Sequence, residues 1–444
     1  MSEQTPGLTV NSQVKTSKSA IWSLICGIAG IILCLPAIPA IILGIIGLVN
    51  IKKNASALKG TGLAIAGLIL GGLMIIATLI FAIPLITIVG AIASPDFMTG
   101  SYDNDLHYLE YATNVSGSWV YSTLDSVGAV GLFTSIAIDS NNKMHISYWD
   151  YTNDDLKYAT NASGSWVYAT IDSTGNVGRD TSIAVDSNNK VHISYWDYTN
   201  DDLKYATNAT GSWVCYTLDS AGHVGYSTSI AIDSNNKVHI SYSDYTNGDL
   251  KYATNATGSW VCSTLDSAGF VGGCNSIALD SNNKVHISYY DGFDYDLKYA
   301  TNASGSWVYA TIDFAGVGPY TSIALDSNNK VHISYWDSTN YDLKYATNVS
   351  GSWVCSTLDS TGYVGEYTSI AVDSNNKVHI SYCNSINYYD LKYVTNVSDS
   401  WVCSILDSVG WVGYSTSIAV DSNNKVHISY LGSTNKALKC VTNK

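Results

Sequence analysis

Residues 181–225 read TSIAVDSNNKVHISYWDYTNDDLKYATNATGSWVCYTLDSAGHVG, and the larger part of the chain repeats this stretch with small changes. It divides into four short runs, SIAVD, VHISYW, LKYAT and SWVCYTLD. Each run is rich in Val, Ile, Tyr, Thr or Trp and is bounded by Asp, Asn, Ser and Gly, the composition of strands separated by turns. None has the spacing or length of a helix. Trp119, Trp166, Trp213, Trp260, Trp307, Trp353 and Trp401 recur at intervals of 47, 47, 47, 47, 46 and 48 residues. His145, His192, His239, His286, His332, His379 and His427 keep nearly the same step. A period in the forties sustained seven times marks a propeller or a solenoid. Four strands per repeat then predict an all-β fold, a seven-bladed β-propeller of four-stranded blades. A right-handed β-solenoid is the alternative, although its repeats are usually shorter.

The SIAVD, VHISY and SWV runs occur seven times each, but the LKYAT type occurs eight times, from LEYAT at 109–113 to LKCVT at 438–442. The chain therefore enters and leaves the repeat inside a blade, and strands from both ends should close the ring and remove its open edges. The expected closing blade takes 418–442 from one end and 118–124 from the other. The spare copy at 106–113 then competes for a place or lies outside.

Charge divides the chain in two. Residues 1–100 carry five Lys and two acidic residues, whereas 101–444 carry 17 Lys or Arg against 34 Asp or Glu. The larger part holds a single Arg, Arg179, and two Glu, Glu110 and Glu366. Acidity of this kind argues against nucleic acid as a partner, because phosphate neutralisation needs clustered cations. The expected domains are a polar tail at 1–18, two transmembrane helices at 19–95, a linker at 96–104 and the propeller at 105–444.

Residues 20–49 and 60–94 contain no charged residue, and each run exceeds the ~20 apolar residues that cross a bilayer as a helix. Pro36, Pro39 and Pro84 should kink these helices. The connection IKKNASALK at 51–59 holds Lys52, Lys53 and Lys59, and no Lys or Arg follows until Lys143. The positive-inside rule puts that connection in the cytoplasm and the propeller outside the cell membrane, although Lys15 and Lys18 pull the other way. The stretch SLICGIAGIILCLPAIPAIILGIIGLVNIKK, followed by LKGTGLAIAGLILGG, resembles a prokaryotic family of two-span membrane domains of unknown function over residues 19–75. That resemblance implies a lipid bilayer as partner and no particular activity.

Residues present in every blade are read as scaffold, because catalysis needs one site rather than seven. The repeated His is expected to bond a neighbouring turn, since buried polar groups nearly always find partners. The repeated Trp is expected to pack between blades. The Asp of DSNNK should bond its own hairpin backbone. In placement this hairpin resembles the aspartate box of sialidase-type propellers, but it lacks the Gly-x-Thr-Trp ending. Sialidase chemistry would need an arginine cluster, and this chain has one Arg. The loops DYTNDD at 150–155 and 197–202 suggest Ca²⁺ only weakly, and no other cofactor is expected. Cys215, Cys262, Cys355 and Cys403 share one strand position in different blades, too far apart to bridge. Asn114, Asn161, Asn208, Asn255, Asn302, Asn348 and Asn396 each open an N-x-S/T sequon, a set of glycosylation candidates if the domain is extracytoplasmic. One duplicated turn would generate the same seven sequons without any sugar.

The copies diverge in two connections, after VHISYW and after the fourth strand, which strand alternation places on one face of the ring. There the sequence offers Trp149, Trp196, Tyr290 and Trp336 at strand ends, and Arg179, His223, Phe270, Tyr363, Glu366 and Trp411 in loops. Exposed aromatics interleaved with polar groups suit a sugar ring or a protein surface. Arg179 and Glu366 are expected to face solvent or ligand. The function expected is a membrane-anchored cell-surface binding or adhesion protein that recognises a glycan or a protein. The alternatives are a surface polysaccharide hydrolase or lyase and a structural coat. An enzyme would need two differently tuned acid–base groups at one site.

Overall fold

A computed structural model describes residues 107–433, apart from 315, 387 and 388, together with scattered positions between 15 and 69. The chain divides into two compact units, Met1–Ser101 and Tyr102–Lys444. In the first unit, Lys15–Thr16 pairs in parallel with Leu58–Lys59. No helix among the described residues is long and apolar enough to cross a membrane. The runs expected to span, 20–49 and 60–94, lie almost wholly outside the described residues.

The second unit is a seven-bladed β-propeller, each blade one four-stranded antiparallel sheet. Blade two is typical: Val177–Val185 innermost, then Val191–Asp197, Asp202–Thr207 and, at the rim, Val214–Asp219. Blade one begins at Val130, and blades three to six begin at Val224, Val271, Val317 and Val364. In blade two VHISYWD is buried at every residue because blades pack against both of its faces, which is why it reads as apolar without strict alternation. The rim strand of blade one, Val167–Asp172, is exposed along most of its length. Gly225 shows why the V-G pair recurs at the start of the inner strand. It holds a φ of +95°, and a Cβ there would lie 2.8 Å from the backbone of Leu203 in the preceding blade.

Polar groups join each blade to the next at three depths. Near the axis, Ile230 N–H donates to Ser182 Oγ at 3.2 Å, and Thr228 Oγ donates to Ser194 Oγ at 2.8 Å. On the constant face, Ser187 N–H donates to Asn236 Oδ1 of the next hairpin at 3.0 Å. Farther out, Asp219 at the end of one rim strand accepts from Tyr242 at 2.7 Å and from Lys251 at 2.5 Å in the following blade. Burial pushes the Asp219 carboxyl up, but the Lys251 ammonium, the Tyr242 hydroxyl and the Ala221 N–H bring it below its ordinary value. Six seams carry this Asp–Tyr–Lys clasp, with Asp125, Asp172, Asp219, Asp266, Asp313 and Asp359 as acceptors.

The repeated His ties the strands and the turn of its own blade together, and the repeated Trp packs across the seam. His192 Nδ1 faces Tyr205 Oη at 2.6 Å, and its Nε2 lies 3.6 Å from Asp186 at the DSNNK turn. Burial lowers its pKa, so the ring favours the neutral form. Asp186 Oδ1 accepts the backbone N–H groups of Asn188 and Lys190, each at 2.8 Å. Trp260 sets its edge on Tyr205 of the preceding blade, ring centres 5.1 Å apart.

The closing blade differs from the expectation. Trp411–Val420 and Val426–Ser433 supply its inner half, and His107–Thr113 and Val120–Asp125 its outer half. The third strand is therefore the copy at 107–113, while 438–442 lies outside the described residues. Two features favour this choice. The strand stays hairpinned to its rim strand, and Tyr111 reproduces the bond to His427 at 2.5 Å and the edge contact with Trp166 at 5.5 Å. LKCVT has Cys440 where that Tyr is needed.

Asp219→Ala should destabilise the propeller by about 3 kcal/mol, because it leaves the Lys251 ammonium in a buried seam with only the longer contact to Asp244 at 3.9 Å. Tyr242→Phe should cost only about 1 kcal/mol. Denaturant titrations of the two variants would test this ordering, and equal small losses would show that the clasp contributes little.

Candidate functional site

The two divergent connections of a blade are bonded to each other. In blade two, Tyr198 N–H donates to Asn176 O at 2.9 Å, and Asn176 N–H donates to Thr199 Oγ at 2.7 Å. The acidic loops close on themselves as well, since Asp197 Oδ1 accepts from the Thr199 and Asn200 N–H groups. Asp197 Oδ2 accepts from the Asn200 side chain. The carboxylate suggested for Ca²⁺ thus braces its own loop, and no metal-binding group of three His, Cys, Asp or Glu exists among the described residues.

The strand-end aromatics are not the open platform the sequence suggests. Trp149 and Trp196 are only 1% and 2% exposed, and Tyr290 and Trp336 are half-buried. The cause is an overlap between neighbours: the inner strands of blades two and three set a side chain over the preceding blade. Arg179 lies 4.4 Å above the Trp149 ring and 4.0 Å from Tyr198, and Tyr226 lies 3.8 Å from Trp196. Tyr320, Tyr367 and Tyr414 continue this layer, with ring centres 4.4 and 4.0 Å apart.

Arg179 and Glu366, expected to face solvent, are both half-buried. Arg179 sits in an aromatic box and forms no ion pair among the described residues. Glu366 lies opposite Cys383 in the sheet, and burial raises its pKa while a hydrogen bond with Ser385 lowers it. His223 remains exposed and pairs with Asp201 at 2.9 Å, and Phe270 stands edge-on to Tyr245 at 5.5 Å.

What stays open is the outer part of the face, where Tyr363 is 45% and Trp411 52% exposed. Each has a partner that the sequence reading missed. Tyr341 lies 4.2 Å from Tyr363, and Tyr389 lies 5.3 Å from Trp411. Both partners occupy the residue just before the third strand, held by Asp154, Asp201 and Gly248 in blades one to three. All of these positions have left-handed φ, and Tyr295, Tyr341 and Tyr389 adopt it at 60°, 61° and 54°. Asp and Gly suit that conformation, whereas a bulky residue is unfavourable there. The signal was present in the sequence: aromatic residues replace turn residues at one loop position in three consecutive blades. Phe293 and Phe314 add further exposed rings in blade four and the loop after it.

The sequon asparagines have a structural role. Asn208 Oδ1 accepts the Val191 N–H at 2.8 Å, and Asn114, Asn161, Asn255, Asn302, Asn348 and Asn396 make the equivalent bond. The motif therefore recurs for a reason independent of any sugar. Cys262, Cys355 and Cys403 are exposed free thiols at the rim, and Cys215 is a half-buried one.

The propeller is accompanied by a second recognisable element, because the family described as a domain of unknown function (DUF4190) matches residues 19–81. No curated protein matches the chain. Among solved structures, the chain is similar to AofleA from Arthrobotrys oligospora at 14% identity and a TM-score of 0.46, covering 68% of this chain and 90% of that one. It is also similar to the Aleuria aurantia lectin, a fungal lectin with a six-bladed β-propeller fold and a novel fucose recognition mode. That match has 12% identity and a TM-score of 0.45, and covers 62% and 94%. Kuenenia stuttgartiensis hydrazine synthase matches at 8% identity and a TM-score of 0.49, covering 66% and 90%.

Replacing Arg179 with Ala should cost about 1–2 kcal/mol, because a partly desolvated cation–π box is lost. Glu366→Gln should raise the melting temperature at neutral pH. A carboxyl whose folded pKa is raised holds its stability below the unfolded pKa and loses it as pH rises through the folded one. The gain should vanish at acid pH, where free glutamates are also protonated, and melting curves across pH would show whether it does.

Proposed function

We propose that this protein is a membrane-anchored cell-surface binding protein whose propeller recognises a glycan. The observation that carries the reading is the pair of exposed aromatic couples, Tyr341 with Tyr363 and Tyr389 with Trp411, at two adjacent seams. Strained backbone persists where the surroundings hold it, and it concentrates at functional sites. Here two of the strained residues present aromatic rings on the face where the blades diverge. Flat rings with polar edges match the alternating CH faces and hydroxyls of a sugar. The couples lie in loops, or for Trp411 at a strand's first residue beside one, carried by rigid blades, the usual placement of recognition residues. Anchoring is supported by the charge-free runs at 20–49 and 60–94, each long enough for a spanning helix. The basic connection between them favours a propeller outside the cell.

Glycan arrays probed with the full chain in detergent should give discrete hits. Trp411→Ala combined with Tyr363→Ala should weaken them about tenfold or more, at ~0.5–1.5 kcal/mol per aromatic contact, with the melting temperature unchanged. Silence of the wild type on the arrays, or undiminished binding by the double variant, would refute the glycan reading. Capture of a protein ligand lost in the same variant would reassign the face to a protein partner.

A further inference from the structure

The innermost strand of every blade is interrupted near its start, where its ladder with the second strand breaks register. The residue at the break runs from Phe133 in blade one to Ser415 in blade seven. All seven hold left-handed φ, between 42° and 91°, although none is glycine. Bulges re-aim side chains, and such backbone persists only where the surroundings impose it. These residues also touch from blade to blade. Asp180 Oδ2 accepts the Ser227 N–H at 2.8 Å, and the Cys274 thiol bonds the Ser227 side chain and the Tyr320 N–H. Tyr320 then packs against Tyr367, ring centres 4.4 Å apart. Because the innermost strands surround the axis, the contacts trace a ring around it at the end where the blades diverge.

The ring has two unlike halves. Blades two to four supply the small polar Asp180, Ser227 and Cys274. Blades five and six supply Tyr320 and Tyr367, and Tyr414 of blade seven lies 4.0 Å from Tyr367. In a closed ring of seven, blade two stands opposite blades five and six, so Asp180 lies across the axis from the tyrosines. All the ring residues except Ser415 are half-buried, so they line an opening at the axis. Ser415 is 7% exposed, and its hydroxyl has no hydrogen-bond partner among the described residues.

Charge and softness select the occupant. Asp180 is the one acidic side chain of the ring, and it forms no ion pair among the described residues. Burial raises its pKa, and the Ser227 N–H and the Arg179 charge offset that only in part. The Arg179 guanidinium is turned onto the Trp149 and Tyr198 rings. Burial lifts the Cys274 thiol to about 11, so it stays protonated and is no metal ligand. A hard cation needs several oxygen ligands, which one carboxyl group among aromatic rings does not supply. A weakly hydrated organic cation gains from both the carboxylate and the rings. Residues 101–444, with 17 Lys or Arg against 34 Asp or Glu, draw cations toward the mouth.

We propose that the axial ring is a binding site for a small organic ammonium ion, held between Asp180 on one side and Tyr320, Tyr367 and Tyr414 on the other. The site is separate from the outer aromatic couples and takes a different class of ligand.

Calorimetric titration of the full chain in a choline-free detergent should detect binding of choline and none of its uncharged carbon isostere, dimethylbutanol. Asp180→Asn should weaken choline about tenfold or more. Its melting temperature should stay nearly unchanged, because the amide oxygen still accepts the Ser227 N–H. Tyr367→Leu, which removes a ring and keeps the carboxylate, should weaken choline as well. No choline binding by the wild type, equal binding of dimethylbutanol, or undiminished binding by Asp180→Asn would overturn the site. Should Asp180→Asn not fold, undiminished binding by Tyr367→Leu would overturn it alone. Choline binding lost in the Tyr363→Ala, Trp411→Ala double variant and kept in Asp180→Asn would also overturn it, moving the cation to the outer couples.

Discussion

The structure depends on one constraint: a blade cannot satisfy its own polar groups. Each blade leaves hydroxyls, N–H groups and a carboxylate on its flanks that find partners only in its neighbour. Thr134 to Ser429, Ile136 to Ser417 and Ser422 to Asn142 carry those bonds across the junction between the last blade and the first. An open array would leave one such set facing water at its ends, forfeiting about 0.5–1.5 kcal/mol per bond. Closure is thus favoured by hydrogen bonding as well as by the apolar clusters between blades. The near-identity of the repeats follows, because every seam must present the same groups at the same heights.

The same constraint shapes the variable face. Inner-strand side chains lean over the preceding blade, so residues nearest the axis are drawn into packing however much they vary. Arg179 over Trp149 and Tyr226 over Trp196 are variable in sequence and interlocked in space. Only the loops farther out, after the second and fourth strands, escape this overlap. There Tyr363 and, at the first residue of the next inner strand, Trp411 remain exposed to solvent.

Much of this was legible before any coordinates. The period, the four runs per unit and the turn residues specify the blade, and the scaffold roles of the repeated His and Trp follow from their number. The variable face was legible only as a face. Its residues were misjudged where inter-blade overlap decides exposure, as at Trp149, Trp196, Arg179 and Glu366. Tyr341 and Tyr389 stand out in the sequence as aromatics at a turn position, but only the fold sets them against Tyr363 and Trp411.

By itself the sequence determined the seven-fold repeat, the antiparallel blade and the segregation of constant and variable turns, because alternation and turn chemistry act over a few residues. Tertiary structure alone decided which of two near-equivalent copies closes the ring, since having Tyr111 rather than a Cys at that strand position matters only opposite His427. It also decided which aromatics stay open to solvent. Both outcomes depend on what lies opposite in space, and such partners stand tens to hundreds of residues apart in the chain.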